Sequence, residues 1–128
     1  MISDIRVFLC DDDHLRFFGE GPCRLLHLIE ETGSLRAAAM SMGMAYTKAL
    51  AIMRRAEKNL GFPLTARRIG GKGGGGSVLT PKAKEFLHDY ETWRNACIQS
   101  SRDLYTQVLS KYNRNSSGTK GRSELSES

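Results

Sequence analysis

No stretch of the 128-residue chain approaches the roughly 20 consecutive apolar residues that a membrane helix needs, which excludes a membrane span. The start, MISDIRVFLCDDDH, has neither a basic stretch ahead of an apolar run nor a small-residue cleavage site, so no secretory signal is read and a cytoplasmic location is expected. Cysteine is scarce. Cys10, Cys23 and Cys97 are odd in number and widely spaced, which fits neither a disulfide framework nor a CxxC metal site. They read as reduced structural thiols. Asp11-Asp12-Asp13-His14 reads as a polar turn rather than a cation site, because no partner ligands follow at metal spacing. No nucleophile, base and orienting group occur in a recognisable arrangement, so neither an enzyme, a metal nor a cofactor is expected.

Acid is almost missing from the middle of the chain. Residues 32–80 hold Arg36, Lys48, Arg54, Arg55, Lys58, Arg67, Arg68 and Lys72 against Glu57 alone, a net +7. Residues 1–31 carry −4, and residues 81–112 and 113–128 carry +1 each, so the overall +5 originates in the centre. A partner of negative charge would bind there, unless the run is a solvated face; its placement on the fold has to decide.

A content of 40% hydrophobic and 26% charged residues suits one soluble domain with appendages. Ile5–Leu9 and Leu15–Phe18 are β-prone runs around the Asp-rich turn and predict a hairpin over residues 5–18. Gly21-Pro22 opens a helix carrying Leu25, Leu26, Leu28 and Ile29, which Thr32-Gly33 stops; His27 reads as a surface or boundary residue. Ser34 caps a second, alanine-rich helix with Leu35, Ala38, Ala39 and Met42, closed by Gly43. A third helix is expected from Tyr46 to Leu60, and two helices joined by a tight glycine turn over 34–60 form the helix-turn-helix pattern.

The third helix carries the argument. At about 100° per residue from Thr47, the apolar Ala49, Ile52, Met53, Ala56 and Leu60 occupy the arc from about 140° to 240°. Thr47, Lys48, Ala51, Arg54, Arg55 and Lys58 occupy the opposite arc, about −20° to 100°. A solvated face normally mixes charge signs. This arc does not, and suits a major groove: Thr47, Lys48, Ala51 and Arg54 toward base edges, with Tyr46, Arg55 and Lys58 on phosphates.

Leu64–Ile69 and Ser77–Leu79 are β-prone pieces around a glycine-rich tip, a second hairpin over 64–79. Its Gly71-Lys72-Gly73 lacks the Ser or Thr of a nucleotide-phosphate loop, and the run ends in a strand rather than a helix. Arg67, Arg68 and Lys72 would instead supply charge along a phosphate backbone. Thr80-Pro81 starts a long helix over 81–112, whose apolar side includes Phe86, Tyr90, Trp93, Cys97, Leu104 and Val108. Pairing with a second copy would bury that stripe in a homodimer; packing back onto the N-terminal hairpin is the alternative. Residues 113–128 are polar, without periodicity, and are expected to be disordered.

The segments GEGP (19–22), EETGSL (30–35), AAA (37–39), GMAY (43–46), GFPL (61–64) and GGKGGGGSVLTP (70–81) closely resemble the DNA-binding domain of the ModE-type molybdate-responsive regulators over roughly residues 5–95. They look more distantly like the LysR-type domain. The resemblance implies a mainly α fold with small β hairpins: a winged helix-turn-helix over 1–80, its wing at 64–79, followed by a dimerisation helix. It also implies a transcriptional regulator that binds double-stranded DNA at an inverted repeat. Ala45 stands where the family often has serine, and Leu50 where it commonly has tryptophan. No molybdate-binding domain is expected within these residues, and no small-molecule effector is assigned. The alternative is a dimeric interaction module, or a protein that binds DNA without sequence preference.

Overall fold

The computed structural model describes residues 1–69 and 76–114. Two units divide the chain, one of residues 7–92 and one of residues 1–6 with 93–128.

In the first unit, β1 (Leu9–Cys10) and β2 (Arg16–Phe18) form an antiparallel hairpin, pairing Leu9 with Phe18 and Cys10 with Arg16 across an irregularity in register. The strands are shorter than the expected span, the first starting at Leu9 rather than Ile5, and the turn between them is closed locally. Asp11 accepts at its carboxylate from the backbone N–H groups of Asp13 (2.8 Å) and Leu15 (3.0 Å), and His14 takes a positive φ of 64°. These bonds fix a turn of the side-chain-to-backbone type that aspartate favours.

Helix α1 (Glu20–Thr32) buries Cys23, Leu25, Leu26 and Ile29 and stops at Gly33, whose φ of 74° is the left-handed conformation that glycine accepts without a Cβ penalty. Ser34 then caps α2 (Leu35–Ser41) by accepting from the Ala37 N–H at 3.0 Å. Gly43, at φ 68°, turns the chain into α3 (Tyr46–Leu60). Small side chains line this junction: Ala38 and Ala39 from α2, and Ala49 and Ala56 from α3, are all buried.

After α3, Glu57 accepts from the Leu64 N–H at 2.8 Å, so the single acid of the basic middle anchors the entry to the next hairpin. That hairpin pairs β3 (Thr65–Arg67) with β4 (Ser77–Leu79) in the register Thr65 to Leu79, Ala66 to Val78 and Arg67 to Ser77. Leu64 and Leu79 point into the core. Thr80 caps α4 (Pro81–Val108), its hydroxyl accepting from the Ala83 N–H at 3.1 Å and donating to the Pro63 carbonyl at 2.8 Å. Helix, tight turn, helix and then a two-stranded hairpin is the winged helix-turn-helix architecture in a mainly α chain.

The opening turns of α4 belong to this same unit. Phe18 lies edge-on to Phe86 and Tyr90, with ring centroids 4.8 and 4.9 Å away, and the Tyr90 hydroxyl donates to the Val7 carbonyl at 3.1 Å.

The second unit pairs the remainder of α4 with the N-terminal segment. Ser3 and Ser101 hydroxyls lie 2.7 Å apart, and the Tyr105 hydroxyl donates to the Met1 carbonyl at 2.9 Å. The helix ends at Val108, short of the expected residue 112, and a tighter 3-10 turn covers Ser110–Tyr112. The expected disordered tail falls mostly on residues 115–128, outside the described residues. Among the described residues, no helix is long and apolar enough to cross a membrane.

Candidate nucleic-acid interface

The helical period of α3 sorts its side chains as the sequence requires. Ala49, Met53 and Ala56 are buried, while Thr47, Lys48, Ala51, Arg54, Arg55 and Lys58 are exposed. Small Ala51 leaves an uncrowded strip between the cations. Among the described residues, Arg55 alone of the four α3 cations forms an ion pair.

Arg55 sits apart from the expected phosphate-binding set. Its Nε donates to the Arg16 carbonyl at 2.9 Å, and its guanidinium lies 3.6 Å from the Asp11 carboxylate. The reason is position: Arg55 lies where β2 packs against α3. The backbone N–H of Leu15 holds the Asp11 carboxyl below the usual carboxylate range, helped by Asp13 and by the Arg55 charge. Asp11 therefore stays ionised and tethers Arg55 to the hairpin.

Arg68 is likewise engaged. Its guanidinium lies against both Gly33 and Gly76, where an added Cβ would come within 2.8 and 2.7 Å of it. The Ser77 N–H donates to the Gly33 carbonyl at 2.8 Å, and the Arg68 N–H to the Gly76 carbonyl at 3.0 Å. The base of the wing is thus latched to the turn between α1 and α2, with Arg68 filling the space that two glycines leave. Arg67 is exposed beside it. Lys72, expected at the tip of the wing, lies outside the described residues.

One basic residue counted in the charge balance but not assigned to the site joins it. Arg36 of α2 stacks its guanidinium 4.3 Å from the centroid of the Tyr46 ring, which orients both at the start of α3. Together with Ser34, Thr65, Arg67, Gly76 and Ser77 they line a shallow cleft of about 370 Å³ between the helix-turn-helix and the wing. Two guanidinium groups and several hydroxyls make it a polar, cationic notch suited to phosphate oxygens. A helical-wheel reading of α3 alone does not find Arg36, which lies on the preceding helix.

The expected dimerisation residues divide into two groups. Tyr90 is only 3% exposed and Phe86 is half-buried against Phe18, so both are used by the core of their own chain and Tyr90 offers no face to a second copy. Here the alternative reading, packing against the N-terminal hairpin, describes the opening turns of α4. Trp93, Leu104 and Val108 are exposed at 41%, 57% and 54%, and Cys97 is half-buried. No disulfide joins the cysteines: Cys10 is exposed, Cys97 half-buried and Cys23 in the core.

No protein-family profile matches the chain. It is 37% identical over 94 residues to the molybdenum transport protein ModE of Herbaspirillum seropedicae, covering 62% of this chain and 33% of that protein. It is 38% identical over 66 residues to the molybdenum-pterin-binding protein MopB of Rhodobacter capsulatus, covering 52% and 24%. It is also 37% identical over 68 residues to the transcriptional regulator ModE of Haemophilus influenzae, covering 53% and 27%. The chain thus spans a third or less of the length of these relatives. In three dimensions it is similar to the crystal structure of VV2_1132, a LysR family transcriptional regulator, with a TM-score of 0.53 and 18% identity over 78% of this chain and 32% of that one. That likeness supports the winged helix-turn-helix fold.

Proposed function

We propose that this chain is the DNA-binding module of a cytoplasmic transcriptional regulator of ModE type, which binds an inverted-repeat operator as a homodimer and catalyses no reaction. The observation that carries this reading is the exposed face of α3, the second helix of the helix-turn-helix, where Lys48, Arg54 and Lys58 flank Thr47 and Ala51 with no acid among them. The sequence likeness to two ModE proteins, one of them named as a transcriptional regulator, supports it.

In this reading Thr47, Lys48, Ala51 and Arg54 meet base edges in the major groove, Arg54 with the two parallel N–H groups that match the O6 and N7 acceptors of guanine. Tyr46, Arg36, Lys58 and Arg67 hold phosphates and set the register, with Lys72 extending that contact at the wing tip. Arg55, bonded to the Arg16 carbonyl, and Arg68, packed against Gly33 and Gly76, flank the face. Trp93, Cys97, Leu104 and Val108 provide the apolar side of α4 for the second copy, whose two-fold symmetry would be mirrored in the operator.

A second reading, a dimeric module that binds DNA without sequence preference, draws on one observation. Ala45 provides no side-chain cap at the start of α3 and so no hydroxyl for a phosphate there. Selection of genomic fragments by the purified protein at about 150 mM salt, where most non-specific phosphate binding is suppressed, separates the two. Enrichment of one inverted repeat is expected; binding without enrichment would favour the second reading.

A further inference from the structure

Away from the basic face, α1 and α4 bring three metal-ligating side chains to one point. Cys23 and His27 are four residues apart on α1, one helical turn, so they project from the same side of the helix. Glu91 reaches them from α4. Its Oε2 lies 2.8 Å from His27 Nε2 and 3.6 Å from Cys23 Sγ, and the three ligand atoms all lie within 4.8 Å of one another. It is the one such trio among the described residues. Cys23 is 3% exposed, whereas the His27 and Glu91 side chains are 43% and 30% exposed. The cluster therefore has an apolar floor and opens to solvent on the other side.

We propose that Cys23, His27 and Glu91 form a binding site for a zinc-like divalent ion, with its fourth coordination position open to solvent. Around a tetrahedral zinc, with bonds of about 2.3 Å to sulfur and about 2.0–2.2 Å to nitrogen and oxygen, ligand atoms stand roughly 3.4–3.6 Å apart. The Cys23–Glu91 separation already has that value, the His27–Glu91 pair needs to open by about half an ångström, and the Cys23–His27 pair, within 4.8 Å, has to close by rotation of the part-exposed His27 ring. The chemistry also fits: a thiolate and a carboxylate together balance the charge of a divalent cation, and a sulfur, nitrogen and oxygen donor set favours borderline ions such as Zn²⁺ or Co²⁺ over Mg²⁺ or Ca²⁺. Three protein ligands with one open position are the arrangement of a site that exchanges water or an external ligand rather than a closed structural one. Bound metal would link α1 to α4 by coordination where a hydrogen bond now joins them.

The test is titration of the full chain with Co²⁺ in the presence of a phosphine reductant. A thiolate-to-cobalt charge-transfer band is expected, saturating at one ion per chain, displaced by Zn²⁺ and untouched by Mg²⁺. Cys10→Ser and Cys97→Ser should keep the band. Cys23→Ser should abolish it, but Cys23 lies in the core and its replacement can unfold the chain. The decisive variants are therefore His27→Gln and Glu91→Gln, at partly exposed positions and verified as folded by circular dichroism. Each should weaken binding by more than about a hundredfold, beyond the 10- to 100-fold typical of losing an outer-shell partner. Absence of a band in the unaltered protein, its persistence at full affinity in both of these variants, or its loss in Cys10→Ser would overturn the site.

Discussion

Raising salt from 50 to 200 mM is expected to weaken the protein's complex with duplex DNA by roughly 10³- to 10⁵-fold, the loss associated with about 6–10 phosphate contacts. In the proposed complex each chain turns the exposed Arg36, Lys58 and Arg67 toward phosphates, with Lys72 beside them, so a dimer would present about six to eight such cations. Arg55 and Arg68 are left out of the count, because Asp11 and the Arg16 carbonyl hold the first and the Gly33–Gly76 notch holds the second. Fluorescence anisotropy of a labelled duplex across that salt range measures the slope. A change of less than about tenfold would mean that few counterions are released and that the basic face is not where DNA binds.

Replacing Phe18 by alanine should cost about 3–5 kcal/mol of folding stability, the range for removing a large buried aromatic ring. Phe18 is 1% exposed and meets both Phe86 and Tyr90 edge-on, so truncation leaves a cavity and removes two aromatic contacts together. The location makes the loss larger than a surface-strand residue would suggest. Phe18 is the residue through which the N-terminal hairpin closes over the start of α4, and the same hairpin supplies Asp11 to Arg55. Since domains of this kind are stable by only about 5–15 kcal/mol, the variant should unfold at a much lower denaturant concentration. Urea unfolding followed by circular dichroism gives the value; a loss under about 1 kcal/mol would show that the hairpin is not anchored through this ring.

The elements that could be read from the sequence are those with local causes. The bounds of α3, Tyr46–Leu60, follow from a turn glycine before it, Gly61 after it and an unbroken helical period between. The Ser34 and Thr80 caps are likewise signalled within three residues of the N–H groups they bind. The hairpin at the start is less legible: Ile5–Leu9 is β-prone, yet β1 covers only Leu9–Cys10 and β2 only Arg16–Phe18, around a turn held by the Asp11 carboxylate. Tyr90 shares the periodicity of Trp93, but its hydroxyl finds Val7, 83 residues away, and its ring finds Phe18.

What stayed hidden in the candidate site has the same origin. Arg55 and Arg68 look equivalent to Arg54 and Arg67 as charges, and only the folded chain places an acid or a pair of glycines beside them. Arg36 joins through its stacking on Tyr46. Cys23 and His27 have a visible helical spacing, but their third partner is Glu91, 64 residues beyond His27. Periodicity identifies which face of a helix is exposed; it says nothing of what a distant segment brings to that face.

In the proposed complex Arg54 reads sequence and Arg67 holds the backbone. Affinities of the unaltered protein, Arg54→Ala and Arg67→Ala should be compared on the selected inverted repeat and on a scrambled duplex at one salt concentration. The predicted result is a loss of about 1–3 kcal/mol for Arg54→Ala on the repeat with little change on the scrambled duplex, and a similar weakening of both duplexes for Arg67→Ala. Equal losses for the two variants on both duplexes would contradict the assignment of α3 as the helix that reads the bases.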